Sequence, residues 1–223
     1  DSRDPCTAKR EVPDYKSALQ DDLKGMRIGV VRHFYLQDSP ADDTTVAAME
    51  DAVQTLEDLG ATLVEVTLPP LADYQAVTRI IIVSEAFAIH RESLLSKPGL
   101  YSAVTRYRIM PGALVSAAEY SNALRFQRVL ANKTVNAMGS LDALLTATTY
   151  GPAPVQSQMR AEANFAKPPL TGAFNAAQLP ALSVCNGFAP EGLPLAMQIV
   201  GKPFDEATIL RIGHAYERAT KWR

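Results

Sequence analysis

The sequence predicts an α/β fold, a layered sheet with helices packed against it, and three observations carry that prediction. Short runs of branched apolar residues alternate with amphipathic helical stretches. A strand, helix, strand unit from Met26 to Leu68 has the length of a parallel crossover. Capping residues and glycines stand at the helix ends, where backbone groups lose their intrahelical partners.

Taken in order, residues 1–22 are polar, contain Pro5 and Pro13 and keep no period, which predicts an extended lead-in to a body at 23–223. Met26 to Val31 is a short strand. Ser39-Pro40-Ala41-Asp42 predicts a helix start with Pro at the first helical position. Val46, Met49, Val53 and Leu56 then recur at steps of three and four, and Gly60 supplies a left-handed end near Leu59. Thr62 to Leu68, stopped by Pro69-Pro70, is the second strand. From Leu71 to about Ser96 the pattern is helical. Tyr74, Val77, Ile81 and Ala88 share a stripe with Glu85, so a buried or half-buried carboxylate is expected. The capping box Ser116-Ala117-Ala118-Glu119 opens a long helix that Gly139 closes. Its stripe runs Tyr120, Leu124, Ala131, Val135, Met138, with Arg128 in the middle. Leu141 to Thr146 reads as a buried strand and Gly151-Pro152-Ala153-Pro154 as loop. Leu182 to Val184 and Leu195 to Val200 are nearly all apolar, the pattern of strands covered on both faces, so both should sit centrally. Asp205 caps a last helix through Ile209, Ile212, Tyr216 and Ala219.

Composition excludes several classes. A net charge of −2 with scattered Lys and Arg gives no electrostatic footprint for nucleic acid. No apolar run approaches the roughly 20 residues of a membrane span, and residues 1 to 20 lack the basic and apolar regions of a signal peptide. Cys6 and Cys185 form no paired spacing, which fits a reducing, cytoplasmic setting. Asp1-Ser2-Arg3-Asp4-Pro5 reads as a chain entered partway.

The local signatures of chemistry are equally informative. A serine nucleophile needs a base and backbone donors for its oxyanion. The sequence has no Gly-Gly pair, no Gly-x-Ser-x-Gly elbow and no Ser-x-x-Lys. His33, His90 and His214 are widely spaced, with no metal-ligand pattern, and read as surface or satisfied core residues. Cys185 is flanked by apolar residues and reads as a small buried hydrophobe. The turn after Met26–Val31 holds no glycine, so no dinucleotide closes on it. Arg128 must find an acceptor or reach water from an apolar stripe. It pairs with Glu85, or it faces a ligand.

At Leu141 to Gly201 the chain resembles a known family. Leu141-Asp142-Ala143-Leu144-Leu145-Thr146 with Thr148 is similar to the D-x-L-L-T-P-T segment of the amidase-signature family, with Ala147 at the first Pro. Thr171-Gly172-Ala173-Phe174-Asn175 and Leu179-Pro180-Ala181-Leu182-Ser183-Val184 resemble its T-x-P-F-N and G-x-P-A-x-S-V, with Ala173 and Gln178 at a Pro and a Gly. Gly192 to Glu206 is close to its G-L-P-x-G-x-Q-x-V-G-x-x-F-D-E, and Leu23 to Val30 to its L-K-G-x-R-I-G-V.

The resemblance covers nearly the whole chain, but only the part that follows the family's Gly- and Ser-rich sequence. It implies an amidase-signature layered fold, a mixed sheet flanked by helices, and a parent enzyme that hydrolyses carboxamides. The serine, cis-serine and lysine of that chemistry have no counterpart here, so no catalytic residue is expected in this chain, and no metal or cofactor. The substrate-binding residues implied are Arg128, Thr148, Thr171, Asn175 and Gln178. Arg128 falls where amidotransferase A-type subunits place an arginine on substrate, and Pro168 where they place an acid. The expected partners are the missing N-terminal half and a small-molecule amide, with self-association through an exposed edge as the alternative. The rival readings are a non-catalytic binding or regulatory domain and an amidotransferase A-type subunit.

Overall fold

The computed structural model describes residues 1, 3–158 and 169–221. Among the described residues, six α-helices and five β-strands follow in order: β1 Arg27–Val30, α1 Asp43–Asp58, β2 Thr62–Glu65, α2 Leu71–Ser96, α3 Ala103–Ile109, α4 Ala117–Met138, β3 Ala143–Ala147, α5 Gly172–Ala177, β4 Ala181–Phe188, β5 Pro194–Gly201 and α6 Glu206–Ala219. The strands form one mixed sheet in the order β2-β1-β3-β5-β4. β1 pairs in parallel with β2 and β3, while β5 runs antiparallel to both β3 and β4.

The first crossover goes from β1 through α1 to β2, and the next returns past β1 to β3. Right-handed crossovers in opposite directions along a sheet put their helices on opposite faces. α1 and α6 accordingly pack together against one face, and α2, α4 and α5 pack on one another across the other. One apolar core joins the layers, from Ile28, Leu144 and Ile199 in the sheet to Met49 and Ile212 on one side and Tyr74, Leu130 and Phe174 on the other.

Local chemistry explains most boundaries. α1 is capped not by Ser39 but by Asp42, whose carboxylate accepts the Thr45 N–H at 2.7 Å. Ser39 instead closes a short π-turn at Phe34–Asp38, its amide donating to the Phe34 carbonyl at 3.0 Å. Gly60, at φ +98°, ends α1 in the conformation that favours glycine. The Ser116–Glu119 capping box is made in both directions at the start of α4. Tyr74 and Thr134 tie α2 to α4 through a buried hydrogen bond of 2.6 Å. Because the Thr134 hydroxyl donates to the Leu130 carbonyl, Tyr74 is the donor of that pair.

β5 lies inside the sheet as expected, but β4 is an edge strand. Its apolar run was deceptive because the alternate residues Ala181, Ser183 and Cys185 are small. Ala181 and Ser183 face water, while Val184 and Asn186 on the opposite face are buried against α1 and α6. Among the described residues of 1–22 there are only turns and extended chain. That segment lies near α6, where Asp21 stands 3.1 Å from His214 and Asp22 3.7 Å from Arg211. No helix among the described residues is long and apolar enough to cross a membrane.

Candidate functional site

The chain leaves β1 toward one side of the sheet and enters β3 on the other, so the carboxyl ends of these two strands flank a topological switch point. Ligands of open α/β sheets bind in the crevice beyond such ends. Here the crevice is edged by residues 31–42 and 148–151, which are laced together. The Val31 amide donates to the Leu145 carbonyl at 2.9 Å, the Thr146 hydroxyl to the Val31 carbonyl at 3.1 Å, and the Asp42 amide to the Tyr150 carbonyl at 2.9 Å.

Gln198 of β5, only 3% exposed, organises the crevice. Its Nε2 donates to the carbonyls of Ala147 at 3.0 Å and Leu170 at 3.2 Å. Those carbonyls directly precede Thr148 and Thr171, so one buried amide brings two of the predicted site residues together. The Thr148 backbone is fixed by its own amide, which donates to Ala196 at 2.9 Å. Its hydroxyl is buried and meets no partner among the described residues. A polar group left in that state favours any ligand or water that can pair with it.

α5 carries the other candidates. Thr171, Asn175 and Gln178 stand at i, i+4 and i+7 and share one helix face, while Ala173, Phe174 and Ala177 turn into the core. Asn175 and Gln178 are exposed. Gln178 adopts a left-handed conformation at φ 57° as the helix ends. The chain then passes Pro180, whose carbonyl accepts from Gly201, and Gly201 faces Ala143 at the opposite end of β3. Gln178 thus lies a helix length away from Thr148.

Arg128 stands exposed on α4, and no hydrogen bond or ion pair joins it to another described residue. Its predicted place inside an apolar stripe is corrected. The buried face of α4 is Ala123, Leu130, Thr134 and Met138, and two residues turn a helix by about 200°, which carries Arg128 away from Leu130. Glu85 is exposed as well, not buried. It accepts a hydrogen bond from the Tyr120 hydroxyl at 2.8 Å, so the Glu85–Arg128 pair is not made. That bond raises the Tyr120 pKa above the ordinary phenol range. Pro168 lies outside the described residues.

Sequence reasoning gave Gln198 no role, although it sits in the quoted Gly192 to Glu206 motif; a glutamine inside a strand of otherwise apolar residues was the available signal. It also read His33 as surface or satisfied. Both ring nitrogens of His33 are buried without a partner among the described residues, and the ring meets Phe34 edge-on with centroids 4.7 Å apart. His90 and His214, by contrast, have partners in Tyr101 and Asp21, each at 3.1 Å. Beside His33, Arg32 holds Glu50 through two bonds of 2.9 and 2.8 Å and Glu65 through one of 2.7 Å. The guanidinium keeps the Glu50 carboxyl below its usual range, and burial pushes the Tyr35 hydroxyl well up. This network clamps the end of β1 to α1 and β2. No group of three or more His, Cys, Asp and Glu among the described residues is arranged to hold a metal.

The arrangement can position a ligand through threonine hydroxyls and amides, and the comparisons with known proteins give it a context. The chain is 32% identical over 235 residues to an amidase of Pseudomonas putida, covering all of this chain and 49% of that protein. It is 32% identical over 244 residues to the Myxococcus xanthus A-type subunit of glutamyl-tRNA(Gln) amidotransferase, covering 98% of this chain and 50% of that one. Among solved structures, the Thermotoga maritima A-type subunit of glutamyl-tRNA(Gln) amidotransferase superposes with a TM-score of 0.74 at 26% identity, over the full length of this chain and 48% of its own. A crystal structure of an amidase superposes at 0.81 with 23% identity, over 91% of this chain and 47% of its own, and so shares the fold. The chain spans about half the length of the curated relatives it matches. The amidase family model matches residues 1–210, and the chain belongs to that family.

Proposed function

We propose that this chain is the substrate-channel part of an amide hydrolase whose serine, cis-serine and lysine lie in the half it does not contain. In that enzyme the serine oxygen adds to the carboxamide carbon, the C–N bond breaks, and ammonia or an amine leaves with a proton. Water then cleaves the acyl ester and frees the serine. The contribution of this chain is to hold the substrate: Thr148 and Thr171 at the crevice, Asn175 and Gln178 along α5, and Arg128 as a charge available to a ligand. The observation that carries the reading is the pairing of Thr148 with Thr171 through Gln198, at the switch point of a fold whose relatives are amidases. A second reading, an amidotransferase A-type subunit, is supported by the equal 32% identity to the Myxococcus xanthus protein.

An orienting role for Arg128 has a kinetic signature. In the full-length parent enzyme, Arg128→Met should raise KM or lower kcat, for a combined loss of about tenfold or more in kcat/KM, with little change in melting temperature. Unchanged kinetics beside a large loss of stability would assign it to structure.

The surface also supports a covering partner. Ile89, Leu100, Tyr107, Leu114, Phe126 and Val129 are exposed along α2, α3 and α4 and the turns between them, and β4 leaves one edge open. Large apolar patches and open edges invite association. The isolated chain should therefore sediment as a self-associating species, and the rest of the parent should dissolve that association. A compact monomer at all concentrations would contradict this.

A further inference from the structure

A cavity of about 860 Å³ lies apart from the crevice between β1 and β3. It lies between α2 and the α3 segment. Its size is that of a small-molecule site. Leu71, Gln75, Thr78, Arg79, Ile82 and Ala86 supply one wall; their spacing places them on a single face of α2. The facing wall includes Thr105, Arg108 and Ile109, and the inner end is closed by the buried Gly172 and Ala173, next to Thr171. The walls are held at a fixed separation because Gly112, in the turn Met110–Leu114, packs directly on the Val83 carbonyl with no room for a Cβ.

The lining has a polarity gradient. Leu71 and Ala173 make a buried apolar floor, while Arg79 and Arg108 stand exposed at the rim. Between them, the Thr78 hydroxyl is buried and has no hydrogen-bond partner among the described residues; it does not take the carbonyl one turn back in its own helix, as a helical threonine commonly does. Arg79 and Arg108 each interact with the protein already, but a guanidinium has five donors and keeps its charge. An apolar floor, one unsatisfied hydroxyl and a cationic rim specify an amphipathic anion.

We propose that this cleft holds the non-reacting arm of the substrate, an aryl or branched-alkyl group that ends in a carboxylate. The assignment of that ligand as a substrate arm rests on the amide-hydrolysis reading; the site itself does not.

The test is calorimetric binding to the 223-residue chain, at a concentration where sedimentation shows it monomeric, of three probes that share one body: 4-phenylbutyrate, 4-phenylbutyramide and 4-phenylbutylamine. One-to-one binding is expected in the order acid, amide, amine, with the acid favoured over the amine by ~tenfold or more. Ala86→Trp, which fills the cleft from α2, should weaken the acid by ~tenfold or more. Arg79→Gln with Arg108→Gln, at exposed positions, should bring the acid down to the affinity of the amide. The proposal is overturned by absence of saturable binding, by an amine that binds as tightly as the acid, or by an acid preference that survives the double rim variant. Should Ala86→Trp fail to fold, the rim variant decides alone. A chain that binds the acid beside a parent that cleaves no amide would sink the hydrolase reading and leave the site; the reverse pair of results would sink the site alone.

Discussion

Replacing Gln198 with leucine should destabilise the chain by about 2–4 kcal/mol, because two buried carbonyls lose their donor and leucine offers nothing in exchange. Equilibrium urea unfolding reads the loss directly as a lower midpoint at unchanged slope. The effect also has a functional side. Gln198 Nε2 is the shared donor to the carbonyls of Ala147 and Leu170, so the variant frees the turn before α5 from the end of β3. In the parent enzyme, kcat/KM should fall even at temperatures where the variant is fully folded. A variant as stable as the wild type would mean that the two carbonyls are satisfied in another way.

Phe174→Ala should cost about 3–5 kcal/mol, the range for emptying a buried aromatic site. Phe174 is 1% exposed and lies against Phe34, with ring centroids 6.2 Å apart. Phe34 in turn meets Tyr74 of α2 at 6.3 Å. The three rings join the segment after β1 to α2 and α5, so the cavity would open where three elements meet and cannot collapse by moving one of them. The expected result is a large fall in the urea midpoint with loss of the near-ultraviolet aromatic signal. A change under about 1 kcal/mol would show that α5 is not anchored through this ring, since ordinary surface substitutions lie in that range.

Much of this architecture was legible in the sequence because its signals are local. The capping box at Ser116, the glycines after α1 and α4, and the period of Val46 to Leu56 each rest on neighbours a few residues away. The parallel unit from Met26 to Leu68 followed from element lengths alone. What failed depended on distant chain. The edge position of β4 cannot be read from Leu182 to Val184, because alternation of large and small residues conceals which face is open. Arg128 and Glu85 were placed in apolar stripes by spacing, yet the buried faces of α2 and α4 are set by how those helices pack on each other and on α5. α5 was hidden because six residues hold too little of a helical period. The candidate site shows the same division. Thr148, Thr171, Asn175 and Gln178 are candidates named through their motifs, whereas the pairing of the first two needs Gln198, on a strand that follows both in sequence.

The central claim is that this chain shapes a substrate channel and leaves the bond-breaking groups to the rest of an amide hydrolase. It is tested most directly by measuring ammonia release from a panel of simple carboxamides, first by the purified 223-residue chain and then by the same sample mixed with the remainder of the parent enzyme. The account predicts no turnover from the chain alone and turnover once the remainder is added. Robust turnover by the chain alone, abolished by changing one of its own serines, would contradict it.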